Sequence, residues 1–165
     1  MKQRTLVLAG LGIAIAISGL AAAAPALPDE VNKTFKARFP QAQITHVATD
    51  VEDGVTVTHI EFTESRVEKT TDIAADGTML ETAAFIPERE VPEAVMKSIL
   101  KEAAGATLGE IDRVDITHET RDGHVYKLPA TVIQYEVQLT KSGSTGEVVV
   151  GSDGSVIEAA KWDKK

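Results

Sequence analysis

The sequence predicts an α+β fold of two tandem repeats, each one helix followed by four antiparallel strands, with both helices on one face of the sheet. Three observations carry that expectation. "IAADGTMLE" at 73–81 returns as "VGSDGSVIE" at 150–158. "LPDEVNKTF" at 27–35 lies against "VPEAVMKSI" at 91–99, so each half opens and closes on matching residues. After each opening segment the hydrophobic period shortens to two, and Thr, Val and Ile take over.

The openings read as helices. Pro28 and Pro92 suit a first helical turn, where a missing N–H has no partner to lose, and Asp29, Glu30 and Glu93 put negative charge at the positive end of the helix dipole. Val31, Phe35 and Phe39 form the apolar face of the first helix, which Pro40 stops. Val95, Met96, Ile99, Leu100 and Ala103 form that of the second.

Strands are expected next at 43–51, 55–63, 67–74 and 79–86, turning at "EDG" and at Asp76-Gly77. The second half supplies 111–120, 131–140, 146–151 and 155–162, turning at "RDG", "KSGSTG" and "SDG". Connections this short join antiparallel neighbours. Within "TVIQYEVQLT", Ile133, Tyr135, Val137 and Leu139 point one way, while Val132, Gln134, Glu136, Gln138 and Thr140 point the other. One face is therefore covered by helices and the opposite face is broad and polar.

The "[LV]P-x-x-V" helix start, the strand around "QYEVQL" and the "DG[ST]-x-[LI]-E" turn resemble the PepSY-like domain, related to the fold of the tandem-repeat β-lactamase inhibitor proteins. The resemblance covers two copies, 27–86 and 91–162. In the first, Ile60-Glu61-Phe62 stand where the second has Tyr135-Glu136-Val137. It implies a secreted, non-catalytic binding module whose usual role is inhibition of a protease or other enzyme, and it supplies no catalytic residues and no cofactor.

Composition agrees with an ordinary folded chain, 43% hydrophobic and 25% charged. The absence of cysteine removes disulfides, thiolate metal sites and thiol catalysis. Lys2 and Arg4 precede the uncharged run "TLVLAGLGIAIAISGLAAAA", with Ala-x-Ala spacing before Pro25. That pattern is read as a signal peptide over 1–24, giving a periplasmic or secreted product. The alternative is an uncleaved anchor, for which the charge-free run from Thr5 to Pro28 barely reaches the ~20 residues a bilayer needs. Removing Lys2 and Arg4 leaves fifteen basic against twenty-five acidic side chains, moving the net charge from −8 to −10. Nucleic acid is then not an expected partner, and neither is an anionic membrane once the signal is removed.

Candidate site residues fall into two sets. If "EDG" closes a two-residue hairpin, His46 sits opposite Glu61 and His59 opposite Ala48, which puts His46, His59 and Glu61 on one face as a possible metal set. The plain alternative is two half-exposed strand histidines, one bonded to Glu61. His118 and His124 are expected to be solvated near another hairpin tip. The second set lies in the six residues "HVYKLP" (124–129) by which the second copy exceeds the first. Tyr126 and Leu128, read as lying on a loop, either present a protein-binding anchor or fold back over the core. Trp162, the only tryptophan, either closes the end of the sheet or meets a partner. His124, Tyr126, Leu128 and Trp162 are thus the candidate contacts for an unidentified protein or peptide. No serine stands in a strand-to-helix nucleophile turn, and neither a glycine-rich phosphate loop nor an H-E-x-x-H helix is present, so an enzyme is not expected.

Overall fold

Two-residue turns set the register of the molecule. In the computed structural model, which describes residues 26–163, the order is α1 (Asp29–Arg38), β1 (Gln43–Glu52), β2 (Val55–Glu64), β3 (Val67–Ala74), β4 (Met79–Phe85), a 3₁₀ turn (Glu88–Glu90), α2 (Glu93–Ala103), β5 (Thr107–Arg121), β6 (His124–Lys141), β7 (Ser144–Gly151) and β8 (Val156–Trp162). The signal-like segment 1–24 lies outside the described residues. Asp53-Gly54, Ser65-Arg66, Asp122-Gly123 and Ser142-Gly143 all have positive φ, as the mirror-image turns of tight hairpins require. Ser65-Arg66 does so without a glycine, at the place where the expected strands 55–63 and 67–74 leave a gap.

The eight strands form one antiparallel sheet in chain order. The two sets of four do not remain separate units, because β4 pairs with β5 from Glu81↔Ile116 to Phe85↔Asp112. Directly paired residues point the same way, so faces can be traced across the sheet. Phe62, Lys69, Ala84, Arg113, Tyr135 and Val150 form one such row. Phe62 packs with α1 and Tyr135 with α2, so both helices cover the same face.

Each helix has its own core. Val31 and Phe35 of α1 and Phe39 just after it meet Ile60, Phe62 and Ile73, whereas Val95, Ile99 and Ala103 of α2 meet Ile111, Tyr135, Val137, Leu139, Val148 and Val150. A matching lock fastens each helix to its sheet. Thr34 Oγ1 donates to the Gly77 carbonyl at 2.8 Å, and Ser98 Oγ donates to the Gly154 carbonyl at 2.6 Å. Asp76 and Asp153 cap these turns by accepting the N–H of Thr78 and Ser155, each at 2.8 Å, which agrees with their reading as turn formers.

Gly154 combines φ of +83° with close approach to α2, for a Cβ there would lie 2.9 Å from the Ala94 carbonyl oxygen. Gly154→Ala is expected to destabilise the protein by about 1–3 kcal/mol, from left-handed strain and a displaced helix. Urea unfolding measures it. An unchanged midpoint would contradict the lock.

The long hairpin departs most from expectation. β5 begins at Thr107 and β6 at His124, so 124–129 is strand rather than loop. Thr117 alone faces Leu128, Pro129, Ala130 and Thr131 in a wide bulge, where Pro129 needs no N–H for the ladder. Thr117 Oγ1 lies 3.1 Å from the carbonyl oxygens of both Met79 and Leu80, which fastens the bulge to β4. Beyond it the hairpin bends. In a flat sheet the β1–β2 and β5–β6 turns would stand about 19 Å apart, four strand spacings of ~4.8 Å. Instead the Gly123 N–H donates to the Asp53 carbonyl at 2.7 Å. Val125 joins the Val57, Ala74 and Leu80 cluster, and Val57 and Ala74 belong to the face without helices. The hairpin end therefore curls over that face.

Candidate functional site: the helix-free face

The helix-free face is traced by the complementary rows. Ala48, His59, Asp72, Glu81, Ile116 and Val132 form one, and Phe85, Asp112, Glu136, Val149 and Glu158 another. Acidic residues recur on it. Asp72 and Glu81 are direct cross-strand partners, as are Asp112 and Glu136, although like charges opposite one another destabilise a sheet. Asp72 and Glu81 are only 5% and 7% exposed.

This crowding shifts the carboxyls upward. Burial, followed by the charges of Asp72, Glu136 and Glu52, pushes Glu81 up to about 9. Burial, then Glu147, raises Glu136 to about 7, although the Gln134 amide donates to its Oε1 at 2.9 Å and works the other way. Burial, then Glu110, raises Asp112 to about 6. Glu147 is raised as well, first by burial and then by Glu158. The face thus holds poorly solvated acid groups whose ionised forms are unfavourable until a cation arrives.

Of the histidine set, the predicted register is found: His46 pairs with Glu61 and Ala48 with His59. The three side chains are nonetheless not brought together. The direct neighbour across a ladder is closer than the diagonal one, and on β3 that neighbour of His59 is Asp72. His59 Nδ1 lies 2.8 Å from Asp72 Oδ1, and its Nε2 lies 3.6 Å from Glu52 Oε1. The hydrogen bond to Asp72 holds the imidazole above its ordinary range, and burial raises the Glu52 carboxyl. Among the described residues, Glu52, His59 and Asp72 are the group whose possible ligand atoms lie within 4.8 Å of one another. Asp72 and Glu81 escaped the sequence reading because their neighbours depend on the register set by the Ser65-Arg66 turn and by the shift between Asp72 and Ile73.

The partner-contact set is also divided. On the curled hairpin Val125 and Thr120 face inward, whereas the ladder turns Arg121, His124 and Tyr126 outward. Tyr126 is 38% exposed and lies under the Arg121 guanidinium, 4.4 Å from the ring centroid, with His124 edge-on at 6.3 Å. A stacked, partly exposed aromatic is a ready-made contact. Leu128 is half-buried within the bulge. His118, expected in solvent, is half-buried with Nδ1 3.0 Å from the Met79 carbonyl. Trp162 stands apart from this set. It pairs with Gly146, and its ring sits so close that a Cβ there would meet it at 2.9 Å. That row continues to Leu139 of the α2 core, so Trp162 belongs to the helix-covered face.

Among the described residues no helix is long and apolar enough to cross a membrane. No family model matches the chain, and no curated protein does. Solved structures do. A protein from Bacteroides eggerthii classed as periplasmic superimposes with a TM-score of 0.62 at 15% identity, covering 84% of this chain and 90% of that one. A DUF2874 family protein from Bacteroides uniformis gives 0.61 at 16% identity over 82% and 89%. A BLIP-like protein from Bacteroides fragilis gives 0.53 at 14% over 82% and 86%. An eight-stranded sheet with two helices on one face is the fold that this chain shares with those proteins.

Proposed function

We propose that the chain is an exported, non-catalytic binding module that docks a basic protein or peptide on the helix-free face of its sheet. The observation that carries this reading is the band of carboxyls running through Asp72, Glu81, Asp112, Glu136 and Glu147 on five consecutive strands, β3 to β7. A docked Lys or Arg offsets their repulsion and lets the raised groups ionise, which favours cationic partners over neutral ones. Tyr126, held by Arg121 at the rim, supplies an aromatic anchor. A periplasmic location is supported by the signal-like segment 1–24 and by the likeness to the Bacteroides eggerthii protein. The matching Thr34 and Ser98 locks support duplication of a PepSY-like unit. The BLIP-like neighbour supports the further reading that docking inhibits an enzyme.

The test is cross-linking of the purified chain in the exported fraction of source cells, at low and high salt. A partner recovered by wild type at low salt is expected to be lost at high salt, with Glu136→Gln/Glu147→Gln, and with Tyr126→Ala. Equal recovery by wild type and these variants sinks the docking face. Adding the chain in stoichiometric amount to the captured enzyme tests inhibition separately: unchanged turnover removes inhibition and leaves docking.

A further inference from the structure

We propose that His59 and Glu52 hold a divalent transition-metal ion, with zinc as the best-fitting member of that class, and that Asp72 positions the histidine. The geometry points to it. His59 uses its two ring nitrogens on two different carboxylates, Nδ1 on Asp72 at 2.8 Å and Nε2 facing Glu52 Oε1 at 3.6 Å. A tetrahedral zinc with bonds of about 2.0–2.2 Å to nitrogen and oxygen spaces its ligand atoms about 3.3–3.5 Å apart. The gap between Nε2 and Oε1 is close to that spacing, so an ion fits there with little movement of either side chain.

The Asp72 contact supplies what such a site needs behind the ligand. A carboxylate accepting Nδ1–H fixes the tautomer that leaves Nε2 free for metal and strengthens imidazole as a donor. Asp72 is itself held, being 5% exposed and backed by Glu81 across the strand pair, a carboxyl 7% exposed. Asp50 lies on the same face two residues before Glu52, and its charge reaches both Glu52 and His59. Water completes the shell, and Asp50 adds negative charge nearby without being a ligand. An imidazole with surrounding carboxylates suits zinc better than calcium, which takes six to eight oxygen ligands. The site also adjoins the curled hairpin, because Asp53, next to Glu52, accepts the Gly123 N–H. This inference shares Asp72 and Glu81 with the docking face but needs neither Tyr126 nor the carboxyls beyond β4, and a zinc titration without any protein partner reads it separately.

Tag-free protein, treated with chelator and dialysed, is titrated with zinc chloride in a calorimeter near neutral pH. Saturable one-to-one binding is expected. His59→Ala abolishes it, Asp72→Asn weakens it by about 10–100-fold, and His46→Ala leaves it unchanged. Should His59→Ala fail to fold, wild type still decides the matter, because zinc at one equivalent must shift the His59 ring-proton resonances. Heats that do not saturate, unmoved His59 resonances, full binding by folded His59→Ala, or calcium binding as tight as zinc would each overturn the proposal.

Discussion

Replacing Phe62 with alanine is expected to lower the unfolding free energy by about 3–5 kcal/mol, the largest loss any single side chain in the α1 half should produce. Phe62 is 1% exposed and stands in a three-ring cluster, its centroid 5.0 Å from Phe35 and 4.5 Å from Phe39. Truncation removes both ring contacts and leaves a cavity under α1 that its neighbours on two different elements cannot readily fill. The β4–β5 ladder joins this half to the other, so unfolding is expected to remain a single transition. Trp162 reports on the far half. Its fluorescence and the far-ultraviolet circular dichroism should therefore move together in urea, with the same lowered midpoint. A loss under about 1 kcal/mol, or two separated transitions, would contradict the packing and the coupling respectively.

The helices and most strands were legible because their signals are local. Pro28 and Pro92 precede helices of ten and eleven residues, and the chain leaves α1 at Phe39, just before Pro40. Asp53-Gly54 closes the expected two-residue hairpin, which is why the pairing of His46 with Glu61 could be read in advance. The long hairpin was not legible in the same way. "HVYKLP" contains a proline and reads as a loop, but Pro129 sits in a bulge where its missing N–H costs no ladder bond. Thr117 anchors that bulge to β4, a contact thirty-eight residues distant that no local pattern announces.

The site was legible only by half. Alternation along "TVIQYEVQLT" placed Gln134, Glu136 and Gln138 opposite the helices, where they are found. What alternation could not supply was which acidic residues become neighbours, for that depends on the register of β3 and β4. Ser65-Arg66 sets the first, and a register shift between Asp72 and Ile73 sets the second. Without those two facts Asp72 and Glu81 are indistinguishable from solvated acids, and His59 has no reason to prefer Asp72 over Glu61.

Glu136→Gln is expected to stabilise the protein at pH 8 by about 2–3 kcal/mol while leaving it nearly unchanged at pH 4. The sign follows from proton counts. Glu136 moves from an ordinary 4.5 to about 7 on folding, so between those values the folded state holds more protons than the unfolded chain. The stability this group contributes is complete below pH 4.5 and is lost as pH rises through 7; at about 1.4 kcal/mol per unit the shift corresponds to about 3.5 kcal/mol, which solvent screening of the half-buried side chain lowers to about 2–3 kcal/mol. Asp112, raised from 3.8 to about 6, acts in the same direction over a lower window. Wild type should therefore melt at a higher temperature at pH 5 than at pH 8, and the variant should flatten that slope. A gain of this size corresponds to roughly 5–10 °C at pH 8. The Gln134 amide keeps its acceptor in the variant, because a glutamine carbonyl occupies the place of Oε1. If Glu136→Gln melts with wild type at pH 8, the carboxyl is well solvated and carries no such penalty. Should it gain stability and also lose the captured partner, the repulsion across β5 and β6 is retained for binding, since nothing else in the fold benefits from it.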